Sequence, residues 1–207
     1  MRNDERHNVV GRVLRAGTTG FDCGTRSSSI NGNQNFGAFV TVSISAEDDV
    51  QAIGLIYAIR IDDDPLAREL VMAANVDNNA LLDHRENRMV PVEICVINVG
   101  FAVAGNYFYN LPPRPPMSLT EVQLMASDEV RRFTEQTDFV RLVLNARDVK
   151  PDELLAASLI YASYAYPESE RYDFMVRCGR RTAQLLSHDL KRLSHILSLI
   201  SPPEPIS

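Results

Sequence analysis

Lysine is nearly absent from this chain. Of its 21 basic residues only Lys150 and Lys191 are lysine, and the others are arginine. Lys150 stands between Val149 and Pro151, and Lys191 between Leu190 and Arg192. No G-x-x-x-x-G-K-[ST] phosphate loop therefore occurs, which excludes the P-loop class of nucleotide hydrolases. Long apolar runs are missing too: no window approaches the roughly 20 residues that a membrane-spanning helix needs. The opening MRNDERHNVVGRV lacks the apolar stretch of a secretory signal. Cysteine is scarce and odd in number. Cys23, Cys95 and Cys178 are far apart and form no C-x-x-C pair, against a zinc site or a disulfide framework. Reduced thiols serving as small apolar side chains are the expectation, and with them a cytoplasmic protein.

Charge adds a further exclusion. The 27 acidic residues outnumber the basic ones and leave a net charge of −6 over 207 residues, so bulk attraction to nucleic acid is not expected. Arg131-Arg132 and Arg180-Arg181 are local clusters, read as solvated helix faces that are still able to touch phosphate.

What is present changes character near residue 112. Before it, short β-rich runs alternate with turns. Val9 to Arg15 reads as a strand ended by the turn-forming Ala16 to Gly20, and Ala38 to Ser45 alternates with period two. Ile53 to Ile61 and Val90 to Val103 are longer apolar runs, the second interrupted at Gly100, with Tyr107 to Leu111 as a hairpin partner across Gly105-Asn106. Five or six short strands in about a hundred residues suggest a small closed barrel, whose closure removes exposed edges. The Ser/Asn/Gly-rich loop from Gly24 to Gly37 is long enough to be a contact surface. Asp64 and Pro65 read as the cap and first position of a helix to about Ala74. The run Asp62-Asp63-Asp64 is a weak divalent-metal candidate, because three consecutive carboxylates cannot all face one ion.

Four prolines between Leu111 and Met117 favour a stiff extended spacer. Beyond it the period turns helical. Ser118 and Glu121 form a capping box at a helix start. Val130, Phe133, Thr137, Val140 and Leu144 mark a helix over about Asp128 to Ala146. Pro151 opens another to about Tyr164, Pro167 breaks it, and a last helix is expected over about Arg171 to Leu199. In that helix Leu186, Leu190, Leu193, Leu197 and Ile200 step 4-3-4-3, a seam for another helix, in the same chain or in a second copy.

These signals predict an α+β chain: a small closed β-barrel of about six strands over residues 1–111, a proline-rich linker at 112–117, an all-α domain at 118–200 and a disordered tail at 201–207. Catalytic patterns are lacking. His7 and His84 lie in polar surroundings, His188 and His195 are too far apart along a helix to share a metal, and neither G-x-S-x-G nor H-E-x-x-H occurs. No enzyme activity, cofactor or metal is expected.

The order VGRVLRAGTTGFDCGT, GAFVTVSI, GLIYAIRIDDDPLARELV, VPVEICVINVGF and LPPRPP resembles the HAS barrel. This is the small β-barrel shared by HerA-type DNA-translocating ATPases and the N-terminal crowns of rotary ATP synthase subunits. The resemblance covers about 110 residues, roughly half of the chain. In the HerA family the barrel helps arrange subunits in a ring and docks a NurA-type nuclease. Here the ATPase core is missing and helices stand in its place, so no ATP site carries over. The resemblance implies a non-catalytic adaptor that docks a HerA-type ATPase or a NurA-type nuclease in DNA repair. The candidate docking residues, chosen for loop exposure, are Asn31, Asn33, Arg60, Asp62, Asp63 and Arg68; candidate self-association residues are Leu186, Leu190, Leu193 and Leu197. The alternatives are a small-barrel nucleic-acid-binding module and a metal-dependent hydrolase using Asp62 to Asp64. No membrane contact is expected.

Overall fold

A computed structural model describes residues 8–26, 34–45, 49–61, 72 and 90–200. Seven antiparallel strands form one sheet: β1 (Val9–Ala16), β2 (Gly20–Arg26), β3 (Phe39–Ser45), β4 (Val50–Ile61), β5 (Pro91–Val103), β6 (Asn106–Phe108) and β7 (Glu121–Leu124). Their order is β2-β1-β7-β3-β4-β5-β6, and β5 also pairs with β2. Six strands thus close into a barrel, with β6 added to the far end of β5. The expected hairpin is present: Val103 pairs with Asn106 across a turn in which Ala104 and Gly105 both have positive φ, the geometry that matches strand twist. Five helices follow: α1 (Ser127–Thr134), α2 (Phe139–Leu144), α3 (Pro151–Ser163), α4 (Glu168–Leu185) and α5 (Leu190–Ile200).

The barrel does not end at the prolines. Strand β7 lies beyond them and fills the gap between β1 and β3, with Gly11 and Val42 both opposite Val122. The capping box expected at Ser118 is therefore not formed. Glu121 is a strand residue whose carboxylate accepts from Arg12 at 3.1 Å. The physical reason is burial. Val122 and Leu124, two apart, both enter the barrel interior. Removing each from water is worth about 1.5–3 kcal/mol, against ~1 kcal/mol for a cap. Helix α1 begins later, where the Ala126 N–H donates to the Glu129 carboxylate at 3.0 Å.

Two apolar cores share the barrel wall. The interior is filled by Val10, Val13, Phe21, Cys23, Val40, Val42, Ile56 and Ile94 among others. On the outer wall Phe39, Ile53, Leu55, Ile97 and Val99 join a second core with residues of all five helices. The period-two alternation of Ala38 to Ser45 would bury one face of β3, yet the neighbours Phe39 and Val40 are both fully buried. Gly37 makes the close approach possible. Its φ is +85°, and a Cβ there would come within 2.8 Å of the Ala157 backbone on α3.

Two long helices expected from periodicity are each broken. The first is interrupted between Thr134 and Phe139. The Thr134 hydroxyl lies 2.7 Å from the Val130 carbonyl and 3.0 Å from the Tyr166 hydroxyl, a back-bonding arrangement that bends helices. The break has a packing consequence. Six residues on a continuous helix would put Phe133 and Phe139 on different faces, yet here both rings meet Phe39, at 6.0 and 5.9 Å. The second break falls at residues 186–189, where the Asp189 carboxylate accepts the Arg192 N–H at 3.0 Å and opens α5. The helix at Pro151 forms as expected, with Asp152 and Glu153 in its first turn.

Candidate functional site

On β1 Val10 and Val13 both point into the barrel although they are three residues apart, because the register against β7 shifts between Val9 and Gly11. The register then shifts: Val13 faces Cys23 and Arg15 faces Asp22, so Leu14 is the extra residue of a β-bulge. Bulges re-aim side chains, and Leu14 is 54% exposed. Beside it runs the segment that leads into β7. The Leu119 N–H donates to the Val13 carbonyl at 2.8 Å, and the Val13 N–H donates to Thr120 at 2.9 Å. Leu119 has φ +67°, a left-handed conformation that costs a leucine about 1–2 kcal/mol. It is 68% exposed, and Met117 is 72% exposed. Arg12 fixes this segment by donating to the Leu119 carbonyl and to Glu121, both at 3.1 Å. Two backbone irregularities thus each place a leucine in solvent on the same stretch of barrel wall.

A charged ladder crosses the neighbouring strands. Arg15 on β1 pairs with Asp22 on β2 and, at 2.8 Å, with Glu93 on β5; Glu93 also pairs with Arg60 on β4 at 3.2 Å. Hydrogen bonding to Asp22, then the charges of Asp22 and Glu93, raise the Arg15 pKa above its ordinary value. The hydrogen bond to Glu93 does the same for Arg60. Tyr57 stands at a second bulge, between Ile56 and Ala58, which keeps Ile56 inward while Tyr57 turns out. A cleft of about 590 Å³ opens here between barrel and helices, lined by Arg15, Tyr57, Asn98, Leu142, Arg147 and Asp148 among others. Asn98 anchors the β1–β2 turn, its amide nitrogen donating to Thr18 at 3.0 Å. Its buried Oδ1 has no partner among the described residues.

The cysteines offer no nucleophile. All three are buried, and burial pushes the Cys23 and Cys178 thiols up to about 12 and Cys95 to about 11. A thiolate is the reactive form. Among the described residues no group of three or more His, Cys, Asp or Glu is placed to hold a metal ion.

Of the residues singled out in the sequence, Arg60 belongs to the ladder. Asn31, Asn33, Asp62, Asp63, Asp64 and Arg68 lie outside the described residues. The leucine seam does not exist as one line, because the break at 186–189 divides it. Leu186 is buried in the shared core and Leu193 packs against it, whereas Leu190 and Leu197 are exposed. Half of the expected self-association surface is therefore used inside the chain. Leu14, Met117 and Leu119, by contrast, were not legible as a surface. A bulge and a positive φ leave no periodic trace, and the one available signal was Met117 and Leu119 directly after the prolines. No family model matches this chain, and no curated protein matches it either.

Proposed function

We propose that this chain is a non-catalytic adaptor whose barrel docks a protein partner, which the HAS-barrel resemblance makes a DNA-processing ATPase of the HerA type or a nuclease of the NurA type. The observation that carries this reading is the exposed barrel wall at Leu14, Met117 and Leu119. Scattered exposed apolar residues are ordinary, but here Leu119 is exposed from a left-handed backbone and Leu14 from a β-bulge, and strain of the first kind persists where function requires it. The filled barrel interior supports an assembly role over that of a ligand carrier. The nucleic-acid reading draws less support. Arg12, Arg15 and Arg60 are engaged with carboxylates, whereas phosphate binding works through cations free to replace counterions.

The test is affinity purification of the tagged protein from its own cells with mild cross-linking, followed by mass spectrometry. Co-purification of an ATPase or nuclease, reproduced with the two purified components, is the expected result. A cross-linked eluate holding neither class overturns the proposal.

A further inference from the structure

Beside Leu14 the barrel wall carries a groove of about 410 Å³, whose lining includes Arg12, Leu14, Gly24, Arg26, Pro91 and Val92. Val92 and Gly24 belong to its strands β5 and β2, and Leu14 lies across Gly24, where a Cβ would stand 3.1 Å from the leucine Cδ1. Its lining combines the apolar Leu14, Pro91 and Val92 with Arg12, Arg26 and Glu93. Arg26, the last residue of β2, makes no ion pair among the described residues. Arg12 gives one edge to Glu121 and the other to a backbone carbonyl. The acid bordering the groove, Glu93, is already held by Arg15 and Arg60. Among the described residues four arginines here (Arg12, Arg15, Arg26 and Arg60) meet three carboxylates (Asp22, Glu93 and Glu121), a surplus of one positive charge.

We propose that this groove receives an extended segment of a partner protein that is both acidic and apolar. A carboxylate of it lies against Arg26, and its apolar side chains rest on Leu14 in the groove and on Met117 and Leu119 of the adjoining segment. The proposal rests on the adaptor reading and names the surface and the partner's chemistry. Charge complementarity selects an acidic segment, since a basic one would add like charge beside Arg26, whose guanidinium has no ion pair among the described residues. Apolar contact accounts for the two exposed leucines, which a purely ionic partner would leave in water. A nucleic-acid strand fits poorly, because stacking needs aromatic rings and none lines the groove.

Leu119→Gly separates docking from folding. Glycine adopts a positive φ without strain, so this variant loses an exposed side chain while keeping the backbone that carries β7. The assay is fluorescence anisotropy of the full chain with a labelled octapeptide in which glutamate and leucine alternate around one proline. Its counterpart carries lysine for glutamate. The acidic peptide is expected to bind at least about tenfold more tightly than the basic one, a difference ascribed to complementary charge. Arg26→Glu should abolish or invert that preference. Leu119→Gly and Leu14→Ser should each weaken binding severalfold, with the Leu119→Gly melting temperature at or above wild type. Equal binding of the two peptides, or indifference to these substitutions, overturns the proposal. So does light scattering that finds a dimer dispersed by Leu119→Gly, since a second copy would then cover the face. If co-purification succeeds with wild type and is undiminished by Arg26→Glu with Leu119→Gly, the adaptor reading stands and this groove is not its docking site. If wild type recovers no such partner, the adaptor reading itself fails.

Discussion

Replacing Phe133 with alanine tests whether barrel and helices fold as one unit. Phe133 sits on α1 and is fully buried. Its ring lies 6.0 Å from Phe39 on the barrel, 5.4 Å from Tyr107 on β6, 5.1 Å from Tyr109 and 5.8 Å from Phe139 on α2. Tyr109 also donates its hydroxyl to the Phe133 carbonyl at 2.7 Å, so the backbone there is held and the site cannot readily collapse. A Phe→Ala change in such a place costs about 3–5 kcal/mol. Aromatic pairs are worth about 0.5–1.5 kcal/mol each beyond burial, which puts this site toward the upper end. At roughly 2–4 °C per kcal/mol for a chain of this size, the melting temperature should fall by about 6–20 °C. Thermal unfolding by far-ultraviolet circular dichroism reads the total, and hydrogen exchange with mass spectrometry reads strands and helices separately. Both should lose protection together in one transition. A loss below about 1 kcal/mol, or helices that melt while β1, β2 and β5 stay protected, would refute the shared core.

Further outcomes follow from the same structure. Val122→Asp puts a carboxylate inside the barrel and should cost at least about 4 kcal/mol, seen as dye binding and loss of the cooperative melt; Ser118→Ala, at the unformed capping box, should be neutral. A wild-type melt for Val122→Asp, or a ~1 kcal/mol loss for Ser118→Ala, would restore the helix expected there. The thiols should resist a thiol reagent at pH 8 until denaturant is added. Because their folded pKa values, about 12 for Cys23 and Cys178 and about 11 for Cys95, lie above the ordinary value, the unfolded chain loses these protons first. Their contribution to stability is intact below pH 9 and falls as pH rises from about 9 toward 12; a melting temperature rising over that range in the wild type, relative to a Cys23→Ala variant, would contradict it. Leu190→Glu should leave the melting temperature unchanged, because Leu190 is 70% exposed and the break at 186–189 takes it out of line with the buried Leu186; a fall of more than about 2 °C would contradict this.

Much of the architecture was legible where one force dominates. Strands β3, β4 and β5 follow from dense β-branched runs, and α3 from Pro151 with its acidic first turn. The closed barrel of about six strands was legible from strand number and spacing. What was hidden depends on partners distant in sequence. The four residues of β7 are too short for a period, and Ser118 with Glu121 imitates a helix start, so only the gap between β1 and β3 reveals the strand. The helix breaks at Thr134 and Leu186 involve neither proline nor glycine. They arise because Phe133 and Phe139 are both drawn to Phe39, and because Leu186 is drawn into the shared core. Of the candidate site, Arg60 was legible as a charged residue near a strand end, but its place in a ladder needed the register of four strands.

The position of β7 also sets a schedule for synthesis. Arg12 and Glu121, which face each other across β1 and β7, are 109 positions apart. At about 5–20 residues per second on the ribosome, β1 waits roughly 5 to 20 s for the strand that covers it. During that interval β1, and β3 once it has been made, present unpaired edges to whatever else is nearby. Closure through so distant a pair is also intrinsically slow. The nascent chain is therefore most exposed to wrong pairing just before its proline segment emerges, and a chaperone that shields strand edges would act on it there.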